Sequence, residues 1–216
     1  MILLIQILIG ILGFAVAITI HEFAHAWMSD KLGDPTARIG GRLSLNPLDH
    51  YDPIGTTLFL ATFVLYVLGK IPFPFGWAKP VMYDPYNLKE ERRDAALISF
   101  AGPLANLIFA GILSIILRLT FAPFSPTYFV VIILVDIIVL NISLAIFNLI
   151  PIHPLDGGKI LVGLLPEKNA REVNIFLTRY GSIILLFLIF PIFGGNSLIS
   201  SIISPIVNFF FKILIP

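Results

Sequence analysis

His21, Glu22 and His25 lie in the stretch HEFAHA, which closes an apolar run, residues 2–20, that carries no charge. On a helix, positions four apart share one face, a turn from each other. Two imidazole nitrogens so placed can hold one zinc ion at about 2.0–2.1 Å each. A carboxylate beside them can take a proton from a zinc-bound water, whose pKa the metal lowers to about 7. The H-E-x-x-H spacing therefore supplies two ligands and a general base from one turn of helix. In a soluble sequence such a pattern is often chance. Within an apolar run each ionisable side chain costs about 2.5–3.5 kcal/mol on insertion, so those present are rare and usually functional.

A catalytic zinc takes about three protein ligands and leaves a fourth position open. The available third donors are Asp136, inside a later apolar segment; Asp156, just beyond its end; and Asp49, His50 and Asp52 in the connection 29–53. Asp156 fits best. In NLIPIHPLDGG, Pro151 and Pro154 stop the helix, and Gly157 and Gly158 let the backbone turn, so the carboxylate can be aimed at a neighbouring helix. Asp136 is expected to pair with a polar group on an adjacent helix, such as Asn106. LDHYDP, residues 48–53, is expected to form turns.

The elements that must position these residues follow from composition. Of the 216 residues 57% are hydrophobic and 12% charged, and the mean hydropathy is +0.96. A soluble domain carries about 25% charged residues. Apolar segments run over 2–28, 54–69, 95–117, 127–150 and 181–215, the last broken at 191–196. Several approach or exceed the roughly 20 residues that cross a bilayer, where backbone groups must pair within the segment. The fold class is an all-α polytopic membrane protein of about five to six transmembrane helices. Polar connections lie at 29–53, 84–94 and 159–180. Residues 2–20 lack the basic start of a signal peptide, since the first Lys or Arg is Lys31. With no cysteine, thiolate metal sites and a cysteine nucleophile are excluded. A net charge of +1 without a basic tract gives no footprint for nucleic acid. Residues 70–83, KIPFPFGWAKPVMY, cannot be helix because of Pro72, Pro74 and Pro80. This stretch is either an interfacial loop or a re-entrant extended segment beside a site.

HEFAHA together with FNLIPIHPLDGGKIL resembles the site-two protease family of intramembrane zinc metalloproteases. GRLSLNPLDHYDPIGT, FGWAKPV and AGPLAN resemble its short prokaryotic branch, so the likeness runs from about residue 10 to 165. The resemblance implies His21, His25 and Asp156 as ligands of one Zn2+ and Glu22 as the catalytic glutamate. It implies hydrolysis of a peptide bond in or near a transmembrane segment of a membrane-protein substrate, within regulated intramembrane proteolysis. It assigns Asn148 to substrate or oxyanion. It leaves His153 without a role. The expected organisation is a single membrane peptidase domain over 1–216. Metal-bearing helices at about 2–28 and 127–158 and a central helix at about 95–118 form a three-helix catalytic core. C-terminal helices follow at about 180–215, and no PDZ-like domain is appended. The rival readings are a metal-ion transporter and a non-catalytic scaffold of the same fold.

Topology is constrained by parity. His25 ends the first apolar segment and Asp156 follows the fourth, so the two meet only if those segments run in the same direction. The stretch 54–83 must then begin and end on one side. Either 54–69 is re-entrant, or it crosses and 70–83 returns extended. This arrangement puts every Lys and Arg on the side of the site except Arg118 and the undecided Lys70. The excess of positive charge makes that side the cytoplasm, and the resemblance implies the membrane of a prokaryotic cell. The N-terminus is then outside and the C-terminus inside.

Overall fold

A computed structural model describes residues 2–71, 74–120, 128–190 and 197–215. Among these the chain is helical, without a β-strand. The helices are α1 (Ile2–Lys31), α2 (Thr36–Ile39), α3 (Pro53–Val67), α4 (Glu91–Thr120), α5 (Tyr128–Asn148), α6 (Asp156–Leu164), α7 (Glu167–Ile189) and α8 (Leu198–Leu214). By length and apolarity α1, α4, α5 and α7 can each cross a membrane, while α3 and α8 are shorter. This is an all-α polytopic membrane protein.

α4 sits at the centre, packed against α1, α5 and α6. Its inward face carries Ala101, Gly102, Pro103 and Asn106, all buried, while Ala105 is only half-buried. Small residues on this face let the neighbouring helices approach closely, which is how helices without a hydrophobic driving force gain packing contacts. The other core cluster is aliphatic: Ala110 and Leu117 of α4 meet Val131, Ile138 and Ile142 of α5, with Val207 and Leu214 of α8 against them.

α3 runs antiparallel to α1. Phe59 stacks on Phe14, and Phe63 lies over Gly10. The chain then comes back extended along α3. Thr62 Oγ1 donates to the carbonyl of Phe75 and accepts from its N–H. Trp77 crosses Gly55, and Lys79 N–H donates to the carbonyl of His50. Residues 74–83 therefore form an extended strap that returns the chain to the end from which α3 left. Residues 72 and 73 of the expected non-helical stretch lie outside the described residues.

Several expectations need correction. The span 127–158 is not one helix: α5 stops at Asn148, and Asp156 opens a separate helix, α6. Gly157 and Gly158 do not supply a left-handed turn, since among the described residues only Gly33, Gly41 and Gly69 have positive φ. They are needed for proximity instead. A Cβ at 157 would strike the carbonyls of Leu149 and Ile150, and one at 158 would strike His153. The supposed polar connection 159–180 is largely helical, shared between α6 and α7. Apolarity alone puts the start of α7 near 180, but it starts at Glu167, because Ala170 and Leu177 pack on Val162 of α6. Finally, the C-terminal end of α8 lies beside the end of α4 remote from the site. Ser114 Oγ donates to the carbonyl of Leu214, and Arg118 donates to that of Ile213. Lys212 and the end of α8 thus share the end of Arg118, whereas Lys212 and the C-terminus are expected at the end of the site.

Candidate metal centre

The site is assembled by three helices. His21 and His25 project from one face of α1, their rings edge to face with centroids 4.5 Å apart. Asp156, in the first turn of α6, meets both. Its Oδ2 is 3.1 Å from His21 Nε2 and 3.2 Å from His25 Nε2. One ligand atom from each residue lies within 4.8 Å of the others. Two donors of a tetrahedral zinc, each about 2.0–2.1 Å from the ion, stand about 3.3 Å apart, so this spacing suits one ion.

The outer nitrogens settle the ring tautomers. His25 Nδ1 is 2.7 Å from the carbonyl of Ile98, which can only accept. His21 Nδ1 is 2.7 Å from Asn106 Oδ1. The Asn106 amide group donates to Ala17 O and to Asn141 Oδ1, both at 2.8 Å. Its oxygen is therefore what faces the ring, and His21 Nδ1–H must donate to it. Asn141 is fixed in turn by donating to Ile137 O at 2.8 Å. Both Nε2 atoms are then left with lone pairs, aimed with a carboxylate oxygen at one point. Three acceptors converging without a donor fit a bound cation, and two imidazoles with one carboxylate are a donor set suited to zinc. The donor set present therefore fits the expected group.

α4 floors this cluster. A Cβ on Gly102 would lie 2.5 Å from His25 Nε2 and 2.8 Å from His21 Cε1. Only glycine leaves room for both rings there. Glu22, half-buried on α1, accepts a hydrogen bond from the N–H of Val81 at 3.2 Å, which brings the strap to the centre. Gly102, Asn106 and Asn141 belong to the site without a signal in the sequence that marks them as such. AGPLAN held two of them, yet which residues of α4 face the histidines depends on the packing angle and not on spacing.

Asn148 donates to Leu144 O at 3.0 Å within its own helix and is not one of the three converging donors. Asp136 does not pair with Asn106, whose polar atoms serve His21, Ala17 and Asn141. His153 Nε2 is 3.1 Å from Asn174 Oδ1 of α7. Asp52 accepts from the N–H of Gly55 at 2.7 Å and caps α3, and His50 Nε2 is 2.8 Å from Ser44 O, so neither reaches the centre.

Residues 124–190 match the model of peptidase family M50. Over 188 residues the chain is 37% identical to "Putative zinc metalloprotease YwhC" of Bacillus subtilis, covering 82% of this chain and 78% of that protein. It is 32% identical to a protein of the same description, Rip2 of Mycolicibacterium smegmatis, over 73% of this chain and 58% of the relative. The Rip2 of Mycobacterium tuberculosis is 31% identical over 76% of this chain and 60% of the relative. The chain thus spans less than two thirds of the length of the Rip2 proteins. No solved structure matches it.

Proposed function

This chain belongs to peptidase family M50 and is a zinc metalloprotease, and from that premise we propose that it cuts transmembrane segments of membrane-protein substrates. The observation that carries this reading is the convergence of His21, His25 and Asp156 at the end of a membrane-crossing helix, with Glu22 and the extended strap beside them. In this reading His21, His25 and Asp156 hold Zn2+. When bound, the ion supplies Lewis acidity, which activates water and polarises a carbonyl.

The chain's own groups do the rest. Asn106 and the Ile98 carbonyl hold the two rings in the tautomer that presents Nε2. Glu22 accepts a proton from the attacking water and delivers it to the leaving amine nitrogen, which expels the new N-terminus. A helical substrate hides its carbonyls in hydrogen bonds and must unwind locally. The strap, at 74–83, offers an extended edge on which an unwound segment can add as a strand. Asn148 is assigned a substrate contact.

Residues 1–216 act as one peptidase domain in the lipid bilayer, with α1, α4 and the α5–α6 pair as its catalytic core. The end of the bundle carrying the site also carries all Lys and Arg residues except Lys70, Arg118 and Lys212. By the positive-inside rule that end faces the cytoplasm of a bacterial cell membrane.

Glu22→Gln is the deciding variant. It should retain zinc, lose turnover and trap uncut membrane proteins for identification. Turnover equal to that of the parent would remove Glu22 as the base. Metal flux through liposomes carrying either form would favour a transporter instead.

A further inference from the structure

Beneath the metal centre, a cavity of about 420 Å³ opens between α1, α3, α5 and α8. Its walls are mostly apolar, with Phe59 and its neighbours on one side. Gln6, Asp136, Ser143, Ser204 and Asn208 also face into it, so four helices contribute polar groups or aromatic rings to one space. Asp136 is the outlier. It sits mid-way along the membrane-crossing α5, and among the described residues it makes no hydrogen bond or ion pair. Among the described residues no basic one lines the cavity. An acid at this depth is normally paired, and normally functional.

We propose that this cavity is a substrate subsite in which Asp136 selects transmembrane segments that carry a basic side chain within the bilayer. The inference deepens the protease reading and rests on it. Charge complementarity identifies the occupant: an unpartnered carboxylate with only neutral polar groups around it calls for a cationic partner from outside the chain. Depth excludes a lipid amine, since headgroups stay at the interface and Asp136 lies in the middle of α5. The cavity also leads to the chemistry. It reaches Ala17, one turn before His21, and Phe147, beside Asn148, and is lined by Pro74, Phe75 and Gly76 of the strap.

The geometry sets a spacing. Asp136 and Asn148 are separated by about 18 Å of helix, at about 1.5 Å per residue. With the scissile bond taken at Asn148, the substrate contact proposed above, the basic residue lies on the side of that bond remote from the site end. It stands about five residues away if the substrate is extended and about twelve if helical.

The test uses the zinc-loaded protein in liposomes with single-span peptides of leucine and alanine, each carrying one lysine at a different position or none. Products are located by mass spectrometry. The parent protein should cut a lysine peptide at one fixed spacing at least tenfold faster, in kcat/KM, than the lysine-free peptide. Asp136→Asn should bring that ratio close to one, and Asp136→Lys should invert it in favour of peptides with glutamate at the same position. Unchanged zinc content in both variants checks their folding. Cutting by the parent without a lysine preference, or a preference that survives Asp136→Asn, overturns the subsite while leaving the protease intact. If the zinc-loaded parent cuts no peptide, the protease reading itself fails and the subsite falls with it.

Discussion

At the residue scale, the proposed zinc centre depends on groups that hold the candidate ligands as well as on the candidates themselves. Asn106 has both amide hydrogens committed, so its oxygen is the fixed acceptor for His21 Nδ1. Partners of this kind orient the ring and raise its basicity, and their loss costs about 10–100-fold in metal affinity. Asn106→Ala should weaken zinc binding by that factor, read by competition with a chelator, whereas unaltered affinity would show that packing alone orients the ring. Gly102→Ala should act more severely, because its Cβ would lie 2.5 Å from His25 Nε2 and the floor is helix backbone that cannot retreat. Zinc content should fall well below one per chain, and a fully loaded Gly102→Ala protein would contradict this. The legibility of the site divides along the same line. His21, Glu22, His25 and Asp156 stand out because an ionisable group among apolar ones is costly and therefore informative. Gly102 and Asn141 do not stand out, since a glycine or amide in a membrane helix acquires meaning only from what packs on it.

At the element scale, the strap is the unusual component. Its residues are apolar enough for the membrane, yet Pro74 and Pro80 keep it out of a helix, and it is held by a pair of hydrogen bonds at Thr62 and by one each at His50 and Glu22. The sequence showed that this stretch could not be helical. It could not decide between a loop and a returning strand, because that choice rests on the Thr62 hydroxyl and Gly55 of α3. Val81→Pro removes the N–H that Glu22 accepts. It should reduce cleavage strongly while zinc content stays at the parent level; undiminished cleavage would exclude strand addition here. The far end of the strap is tied down by Asp34, just beyond α1. Burial acts to raise the Asp34 carboxyl, but hydrogen bonds from Thr36, Asn87, Asp84 and Ser29 prevail and hold it at about 2, against an ordinary 3.8. The folded value lies below the unfolded one, so this tie is fully present above pH 3.8 and is lost as pH falls through about 2. A fluorophore on a cysteine at the exposed position 82 should report release of the strap across that window. Asp34→Asn should leave the strap loosened at neutral pH as well, and a probe signal unchanged by this substitution would refute the tie.

At the scale of the whole molecule, the requirement that His25 and Asp156 meet dictates the path of the chain. α1 and α5 must point the same way, and α3 with the strap makes this possible by leaving and returning at one end. That much follows from counting segments. The last crossing does not, because hydropathy suggests two C-terminal helices that pass and return. α7 begins at the site end, where it packs on α6, and passes His153 at Gly181. α8 ends beside Ser114 and Arg118 at the opposite end. Glu167, Lys168, Arg171 and Glu172 gather charge in the first turns of α7, at the site end, so the apolar part that can enter hydrocarbon lies toward its C-terminal half. From Glu167 to Leu214 the chain therefore makes a net single passage. Since the chain has no cysteine, single cysteines can be introduced and labelled without background. Leu45→Cys and Lys89→Cys, both exposed at the site end, should react with an impermeant maleimide from the cytoplasm. Leu119→Cys and Lys212→Cys, also exposed, should react only from the opposite side. Labelling of position 212 from the same side as 45 would restore the two-pass ending and contradict the pairing of α8 with the end of α4. Opposite labelling of 45 and 89 would break the parity on which the metal centre depends.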